Sequence, residues 1–392
     1  MLRATKIRIY PTDEQADFLN QQFGAVRFVY NRSLHIMSHR YKVHAQSLKA
    51  KKELKALLPV AKKSRKYFWL KEFDSIALQQ ACINLDKAFA NFFDKSLPAR
   101  YPVFKRRHGE QSSYHCMGIS IGDDWIKIPK LSPIKAKVHR SLEGKLKSIT
   151  LKRTVTGKYY ASVLIDTEQA IPEKPSEIHS DNVIGLDMGL THVVIDSNGN
   201  KQANPRFLKR ASDNLRRKQR KLSRKQKGSA NRGKARLMVA KCHERVANAR
   251  NDFQHKLSRQ LVDENQVIAV ETLKVKNMLK NRKLAKHIAD VAWGRLIEKI
   301  DYKAEWKGVY SVHIDTWFPS SKTHNTCGHV MDALPLSVRS WDCPACGAKD
   351  IDRDLNAALN IKQQGIVKLK AEGHFVSAHG GLRKTDPLSA AA

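Results

Sequence analysis

The sequence predicts a multidomain protein of mixed α and β structure. Up to about residue 170, short alternating strands are interrupted by helical segments, and after residue 182 buried-looking strands alternate with long helices. The chain has 392 residues, of which 41% are hydrophobic, which suffices for two or three domains with sizeable cores. These observations exclude a disordered chain and a mini-protein.

The charge balance indicates a polyanionic partner. Lysine and arginine number 72 against 37 acidic residues, which gives a formal net charge of +35. This excess is larger than solubility requires and is typical of proteins that bind nucleic acid or acidic membranes. The sequence has neither the run of roughly 18 apolar residues that a membrane span needs nor a secretory signal. We therefore expect a cytoplasmic protein with nucleic acid, and no membrane, as its partner.

The first 170 residues are expected to form a small β-barrel or sheet with a helical insertion at about residues 12–100. An alternating strand covers Lys6–Tyr10, and Thr12 with Gln15 has the spacing of a capping box that begins a helix. Short strands are predicted within Gly118–Ile128, and a hairpin over Ile149–Ile165.

A second helix in this region carries an apolar stripe at alternating spacings of four and three. The members of the stripe are Leu78, Cys82, Leu85, Phe89 and Phe92. Gln80 lies off the stripe, where a solvated polar face and a groove-reading amide are both open interpretations. An aromatic and basic segment follows, with Tyr101, Lys105 and Arg106 as candidate nucleic-acid contacts.

The second half of the chain is expected to begin after a linker at residues 171–181, which contains Pro172 and Pro175. Strands are predicted at Val183–Met188 and His192–Asp196. The predicted domain extends to residue 366, with a flexible tail over residues 367–392, where periodicity is lost.

The most basic stretch of the chain runs from Arg206 to Arg259. It contains nineteen lysines and arginines and three acids, so nearly half of the net charge lies there. The pattern predicts two helices separated by a loop at residues 228–233. A solvated helix is the alternative, but like charges at this density repel each other and call for a counter-charge. The candidate nucleic-acid contacts are Arg216, Arg217, Arg220 and Arg224.

Three carboxylates occupy positions where they can converge. Asp187 and Glu271 end buried-looking strands, and Asp354 opens a helix that can pack on the same sheet. Such convergence is repulsive unless cations fill it, and a pair of Mg²⁺ ions about 3.5–4 Å apart is the known arrangement for phosphodiester hydrolysis. Either Asp352 or Asp354 could instead cap the helix. The order of strands and helix is that of a ribonuclease-H-like fold, and a basic chain with such a site indicates a nuclease, recombinase or integrase.

A cysteine-rich segment at about residues 318–350 has the spacing of a zinc ribbon. Its candidate ligands are His324, Cys327, Cys343 and Cys346, with histidine where a first cysteine is more usual. A structural Zn²⁺ is the prediction, and a pair of buried, reduced cysteines is the alternative.

These motifs resemble those of the TnpB family, the OrfB-type, RNA-guided nucleases that insertion sequences encode and that are considered ancestral to type V CRISPR effectors. The resemblance covers nearly the whole chain. It includes Arg27–Asn31, Tyr101–Lys105, Gly185–Gly189 and, most specifically, Asp352–Ile361.

The resemblance implies a wedge-like β-barrel domain with a helical recognition insertion, then a RuvC-like nuclease domain that carries the zinc module. It implies Asp187, Glu271 and Asp354 as the metal-binding catalytic carboxylates. It also implies a guide RNA from the transposon end and cleavage of double-stranded DNA beside a short transposon-adjacent motif, with base pairing reading the remaining sequence. The expected setting is a prokaryotic cytoplasm, with association to the nucleoid on DNA, and a companion transposase encoded by the same element.

Two other functions stay open at this point. A guided DNA-binding regulator would bind without cleavage, although such relatives lose carboxylates that this chain keeps. A transposase with the ribonuclease-H-like fold would act on transposon ends without RNA.

Overall fold

The computed structural model describes residues 1–107 and 112–377 and divides into two compact units. The first unit comprises residues 1–170 and the second begins at residue 171. Within the described ranges, no helix is both long enough and apolar enough to cross a membrane.

The first unit combines three helices with seven strands, plus a π-helical turn at Ala50–Leu54 and a 3₁₀ segment at Phe68–Glu72. The helices are α1 (Asp13–His44), α2 (Leu58–Ala61) and α3 (Ser75–Phe93). The strands are β1 (Leu2–Tyr10), β2 (Ser113–Cys116), β3 (Ser120–Ile121), β4 (Trp125–Lys127), β5 (Ile134–Lys137), β6 (Lys145–Arg153) and β7 (Tyr159–Asp166).

The seven strands form one curled antiparallel sheet in the order β2-β6-β7-β1-β5-β4-β3. The antiparallel pairing of β6 with β7 confirms the predicted hairpin. The hairpin turns at Gly157, whose φ of 81° is one that L-residues rarely adopt. The inner face of β1 presents Ile7 and Ile9 to Leu19 of α1 and Leu78 of α3, and these side chains join one core.

Helix α1 begins as its sequence predicts. The Thr12 hydroxyl accepts a hydrogen bond from the Gln15 N–H, and the Gln15 side chain accepts one from the Thr12 N–H. This capping box is confirmed, as is the helix with the apolar stripe, since Leu78, Cys82 and Leu85 are buried on α3.

The second unit contains the other six helices and nine strands described, with a 3₁₀ turn at Ser180–Asn182. The helices are α4 (Phe207–Ser223), α5 (Ala230–Glu264), α6 (Val275–Met278), α7 (Ala285–Val291), α8 (Trp293–Lys307) and α9 (Arg353–Ala371). The strands are β8 (Glu177–His179), β9 (Val183–Asp187), β10 (His192–Asp196), β11 (Lys201–Ala203), β12 (Val267–Glu271), β13 (Tyr310–Ile314), β14 (Ser340–Trp341), β15 (Ile351–Asp352) and β16 (Phe375–Ser377).

A five-stranded mixed sheet organises this unit, in the order β11-β10-β9-β12-β13. Strands β9, β12 and β13 are parallel, and β10 and β11 continue the sheet antiparallel. Apolar runs such as Val267–Val270 are fully buried because helices cover the parallel part of the sheet.

The structure departs from the sequence expectation at the two ends of this unit. Residues 171–181 contain β8, and the expected tail from residue 367 still belongs to α9, which continues to Ala371. Strand β16 then pairs in parallel with β8. Local periodicity cannot reveal this pairing, because its two short strands lie about 200 residues apart. The remaining part of the predicted tail, residues 378–392, lies outside the described residues.

Candidate active site

The acidic site begins at the ends of two neighbouring parallel strands. Strands β9 and β12 are paired in register up to Leu186 and Val270. Asp187 and Glu271 are the next residues of each strand, so their backbones lie side by side at the carboxyl edge of the sheet.

Helix α9 packs closely on this part of the sheet because two glycines allow it. A Cβ on Gly185 of β9 would lie 2.1 Å from the carbonyl oxygen of Ala358, and a Cβ on Gly365 of α9 would lie 2.6 Å from Ala269 of β12. Alternate strand residues share a face, so Asp187 and Glu271 face the helix as Gly185 and Ala269 do. Asp354 lies one helical turn before Ala358 and therefore on the helix face that meets the sheet.

The electrostatics of Asp187 show that the three carboxylates lie close together. The pKa of Asp187 is raised from 3.8 to about 7, first by burial and then by the negative charges of Glu271 and Asp354. Arg353 acts in the opposite direction but does not compensate. Asp187 is therefore a carboxyl group that needs additional positive charge to ionise fully at neutral pH.

The other two carboxylates have partners from the cysteine-rich segment. The Ser320 hydroxyl donates a 2.6 Å hydrogen bond to Oε1 of Glu271, and Arg339 pairs with Oδ1 of Asp354 at 3.1 Å. The sequence predicted no role for Arg339, and none for Ser320 beyond its place in a motif of the family resemblance, because no local pattern relates either residue to the acids. Both contacts depend on how the segment folds back onto α9.

Asp352 has a different role from Asp354. Its Oδ1 accepts hydrogen bonds from the N–H groups of Asp354 and Leu355 at 3.0 and 3.1 Å, and Oδ2 forms an ion pair with Lys201. Asp352 is thus the N-cap of α9, which leaves the Asp354 side chain available to the acidic site.

The acidic site suits hard divalent cations. Carboxylate oxygens are the protein ligands that Mg²⁺ prefers. Burial, followed by the neighbouring carboxylates, raises the pKa of Asp187, and a bound cation would stabilise its ionised form against both effects.

The zinc-ribbon residues converge as a set of four ligands. The ligand atoms of His324, Cys327, Cys343 and Cys346 all lie within 4.8 Å of one another. His324 Nδ1 is 3.1 Å from Cys327 Sγ and 3.3 Å from Cys346 Sγ, and the Sγ atoms of Cys327 and Cys343 are 3.6 Å apart. Tetrahedral Zn²⁺ with bonds of about 2.0–2.3 Å places its ligands roughly 3.5–3.8 Å apart. The sulfur–sulfur distance lies in this range and the two distances to His324 are slightly shorter, so the set fits zinc after a small outward movement of the imidazole. His324 is buried, and its ring is turned toward the cysteines.

The basic helix α4 presents its charge to solvent. Leu215 is its one buried residue, whereas Arg216, Arg217, Arg220 and Arg224 are all exposed. Arg216 lies 3.5 Å from Asp213, a contact between two exposed groups that adds little stability. These exposed guanidinium groups provide positive charge of the kind that neutralises phosphates.

The candidate nucleic-acid contacts of the first unit differ in how exposed they are and in which side chains they touch. Tyr101 makes edge contacts with Phe89 and Phe92, and Lys105 lies half-buried over the ring of Tyr30 at 4.1 Å. Burial lowers the pKa of Lys105. Arg106 is exposed, and Gln80 donates to Asn84 one turn along α3.

A groove on α1 adds residues that sequence reasoning missed. Its volume is about 470 Å³, and the lining includes Arg27, Arg32, His35, Phe28 and Phe104. The pKa of Arg27 is lowered by burial and by the nearby charge of Arg107. The Arg27–Asn31 motif was the available signal, since Asn31 holds the backbone N–H and C=O of Lys105 and so fixes one wall of the groove.

Comparison with known families gives three matches along the chain. A family model described as "Probable transposase", for OrfB of IS605-type elements, matches residues 163–282. A model of the target-binding (TNB) domain of Cas12f1-like proteins matches residues 293–361, and a helix-turn-helix model for the same OrfB family matches residues 1–46.

Individual relatives match over nearly the whole chain. A "Putative RNA-guided DNA endonuclease" of Streptomyces pristinaespiralis is 42% identical, over 93% of this chain and 89% of the relative. The "Putative RNA-guided DNA endonuclease InsQ" of Escherichia coli is 28% identical, over 97% of this chain and 94% of the relative. A solved complex of Cas12f1 with guide RNA and target DNA aligns over 92% of this chain and 99% of that one, at 14% identity and a TM-score of 0.36.

The family matches and the 42% identical relative agree with the resemblance that the motifs carry and confirm it. The chain belongs to the TnpB family, the OrfB proteins of IS605-type insertion sequences.

Proposed function

We propose that this protein is an RNA-guided DNA endonuclease of a transposable element that cleaves double-stranded DNA beside a short transposon-adjacent motif. The observation that carries the proposal is the convergence of Asp187, Glu271 and Asp354: burial first, and then the charges of the other two carboxylates, raise the pKa of Asp187 to about 7. The names of the relatives support the same activity.

In this proposal the three carboxylates hold a pair of Mg²⁺ ions in a RuvC-like site. When bound, the ions supply activation of a water molecule for attack on phosphorus and stabilisation of the leaving 3′-oxygen. The protein itself would hold the carboxylate ligands in fixed positions. Ser320 fixes one oxygen of Glu271, and the cap by Asp352 sets the start of the helix that carries Asp354.

The remaining parts of the chain would bind nucleic acid. We assign residues 1–170 to a wedge-like β-barrel domain with a recognition insertion, and residues 182–366 to a RuvC-like domain that carries the zinc module at about residues 318–350. The zinc set His324, Cys327, Cys343 and Cys346 would stabilise that module. Helix α4 would hold the guide RNA and its heteroduplex through exposed arginines.

The α1 groove together with Gln80 and the Tyr101–Arg107 segment would contact the DNA duplex. The guanidinium groups of Arg27 and Arg32 line the groove beside the exposed ring of Phe104, and this combination suits a phosphodiester backbone. A companion transposase and a prokaryotic cytoplasmic location complete the proposal as predictions.

The cleavage test uses the full chain with its co-purified RNA and a plasmid that bears the matching target and flanking motif. We expect Mg²⁺-dependent cutting by the wild type and none by Asp187→Ala. Asp123→Ala, which alters an exposed aspartate of the first unit, serves as the control and should cut normally. Undiminished cutting by Asp187→Ala would remove the catalytic assignment, and target retention without any cutting by the wild type would favour a guided regulator.

The guide test is sequencing of the RNA that co-purifies with the protein, followed by ribonuclease treatment before the cleavage assay. A discrete transposon-end RNA, and loss of cutting after its digestion, are expected. Unchanged activity on free transposon ends after digestion would indicate a transposase that acts without RNA.

A further inference from the structure

A short segment connects the acidic site with the zinc-ribbon residues. We call it the strap and define it as residues 320–325. At its start, the Ser320 hydroxyl donates to Glu271 at 2.6 Å. Near its end lies His324, one of the four converging zinc-type ligands. Three residues therefore separate a contact to one site from a ligand of the other.

Two asparagines of α9 hold the strap against the helix that carries Asp354. Asn356 donates to the carbonyl oxygen of Thr323 at 2.7 Å and accepts from the N–H of Asn325 at 2.9 Å. Asn360 donates to the carbonyl oxygens of Ser320 and Thr323 at 2.7 and 2.6 Å, and its Oδ1 accepts from the Asn325 amide at 3.2 Å. Both side chains are at least 96% buried, so these bonds form away from competing water.

The chemistry of the amide explains why asparagine occupies both positions. An amide side chain offers a donor and an acceptor from one short group, so it can bond to carbonyl oxygens of the strap and to the N–H groups of Asn325 at the same time. Aspartate would place a carboxylate against carbonyl oxygens, and leucine would leave the buried peptide groups unpaired. The spacing of four puts both asparagines on one face of α9. This accounts for part of the Asp352–Ile361 motif that the catalytic assignment leaves unexplained.

We infer that Asn356 and Asn360 couple the two sites, so that occupation of the zinc site strengthens divalent-cation binding by Glu271 and Asp354. The inference rests on the proposed function, because it takes these acids as cation ligands. Zinc holds His324 in place. Through their hydrogen bonds, Asn356 and Asn360 hold the rest of the strap, including Ser320, in one position against α9. Ser320 in turn orients Glu271. Asn356 and Asn360 are positioning residues, and neither touches a reacting atom.

The expected size of the coupling follows from supporting residues in other metal sites. Substitution of a residue that orients a metal ligand typically lowers metal affinity by roughly 10–100-fold. Coupling is reciprocal at equilibrium, so the factor by which zinc strengthens cation binding must equal the factor by which the cation strengthens zinc binding.

The experiment measures Mn²⁺ binding to the purified full chain by electron paramagnetic resonance, with Mn²⁺ as the probe in place of Mg²⁺. The rate of zinc transfer to a chromogenic chelator is measured on the same samples. We expect Asn360→Ala to weaken Mn²⁺ binding about tenfold or more and to release zinc faster. Mn²⁺ should in turn slow zinc release from the wild type.

Two further variants separate coupling from general loss of stability. Ser320→Ala removes the bond to Glu271 but keeps the Ser320 carbonyl for Asn360, so it should weaken Mn²⁺ binding and leave zinc release unchanged. Asn265→Ala is the matched control, since Asn265 is a buried asparagine that bonds to Leu261 at the end of α5. It should lower the melting temperature without changing either metal measurement.

Several outcomes would overturn the coupling. One is equal Mn²⁺ affinity of the wild type and Asn360→Ala when both retain zinc. Because both samples are zinc-loaded, partial unfolding of zinc-free protein does not affect this comparison. A parallel change in Asn265→Ala would also overturn the coupling, because the effect would then follow stability alone. Failure of the wild type to bind Mn²⁺ at all would instead refute the acidic site on which the proposed function depends.

Discussion

At the scale of single residues, Asp187 shows how neighbours decide the charge of a group. Burial and two nearby carboxylates raise its pKa to about 7, so without a cation it is only partly ionised at neutral pH. The folded pKa lies above the unfolded one, so the folded chain retains a proton that the unfolded chain loses between about pH 4 and pH 7. The stability that this proton contributes is therefore lost as the pH rises through that range.

The first prediction concerns stability in buffer that lacks Mg²⁺ but leaves zinc in place. Asp187→Asn should raise the melting temperature relative to the wild type, and the gain should be larger at pH 8 than at pH 5, because the amide removes the buried charge. Differential scanning calorimetry at both pH values measures this. If Asp187→Asn melts at an equal or lower temperature than the wild type at pH 8, the charge of Asp187 does not destabilise the folded protein.

The second prediction separates the two neighbouring aspartates of α9. Asp352→Ala removes the N-cap and should lower the free energy of unfolding by about 0.5–2 kcal/mol while some cleavage remains. Asp354→Ala should abolish cleavage and change stability little. Chemical denaturation and the plasmid assay on both variants provide the comparison, and the reverse pattern would exchange the proposed roles.

Sequence alone could identify residues whose chemistry is visible in a local pattern. The strand-end acids and the zinc-type spacing are of this kind. The roles of Ser320 and Arg339 could not be predicted, because they depend on contacts with acids 49 and 15 positions away along the chain. Asn356 and Asn360 were visible as part of a motif, but their role required the position of the strap.

At the scale of elements, the site depends on how closely α9 approaches the sheet. Gly185 of β9 allows the backbone of α9 to pass where any side chain would collide with it. The same contact sets the distance between the helix that carries Asp354 and the strand that carries Asp187.

The third prediction follows from this contact. Gly185→Ala should lower the free energy of unfolding by about 1–3 kcal/mol and abolish cleavage, because the new Cβ meets main-chain atoms that cannot move independently. Gly294→Ala is the matched control, since a Cβ there meets no atom within 4 Å and lies in helix α8. Its stability should be unchanged or slightly raised.

Elements with strong local signals were predicted well, and elements that depend on distant partners were not. Two helices rather than one cover residues 285–307, because Ala292 adopts a left-handed conformation with φ of 55° and separates α7 from α8. The nearest glycine, Gly294, lies inside α8 and not at the break. Strands β8 and β16 are too short to show a pattern and exist through their pairing.

At the scale of the whole molecule, the net charge of +35 has a defined location. Almost half of it lies between Arg206 and Arg259, and the structure leaves Arg217 and Arg220 of α4 exposed, together with Arg216, whose exposed partner is Asp213. Composition predicted a polyanionic partner, and the structure adds which surface is available to it.

The fourth prediction tests that surface. Replacing Arg217 and Arg220 together by glutamine should weaken guide RNA binding and reduce the slope of log affinity against log salt by about 0.7 per lost contact. Fluorescence anisotropy with labelled guide RNA at several salt concentrations measures both. Replacing Lys127 and Arg140, two exposed bases of the first unit, removes the same charge and should have a smaller effect. Equal slopes for the two double variants would show that only net charge matters.

The order of the acidic residues along the chain has a consequence for synthesis on the ribosome. Asp187 and Asp354 are 167 positions apart, and α9 must emerge before it can pack against Gly185. At roughly 5–20 residues per second, translation needs on the order of ten seconds or more to cover that interval. A nascent chain thus exposes its basic helices to nucleic acid well before its three carboxylates can meet. On the proposed assignment of these helices and carboxylates, the growing polypeptide can bind RNA before it can cut DNA.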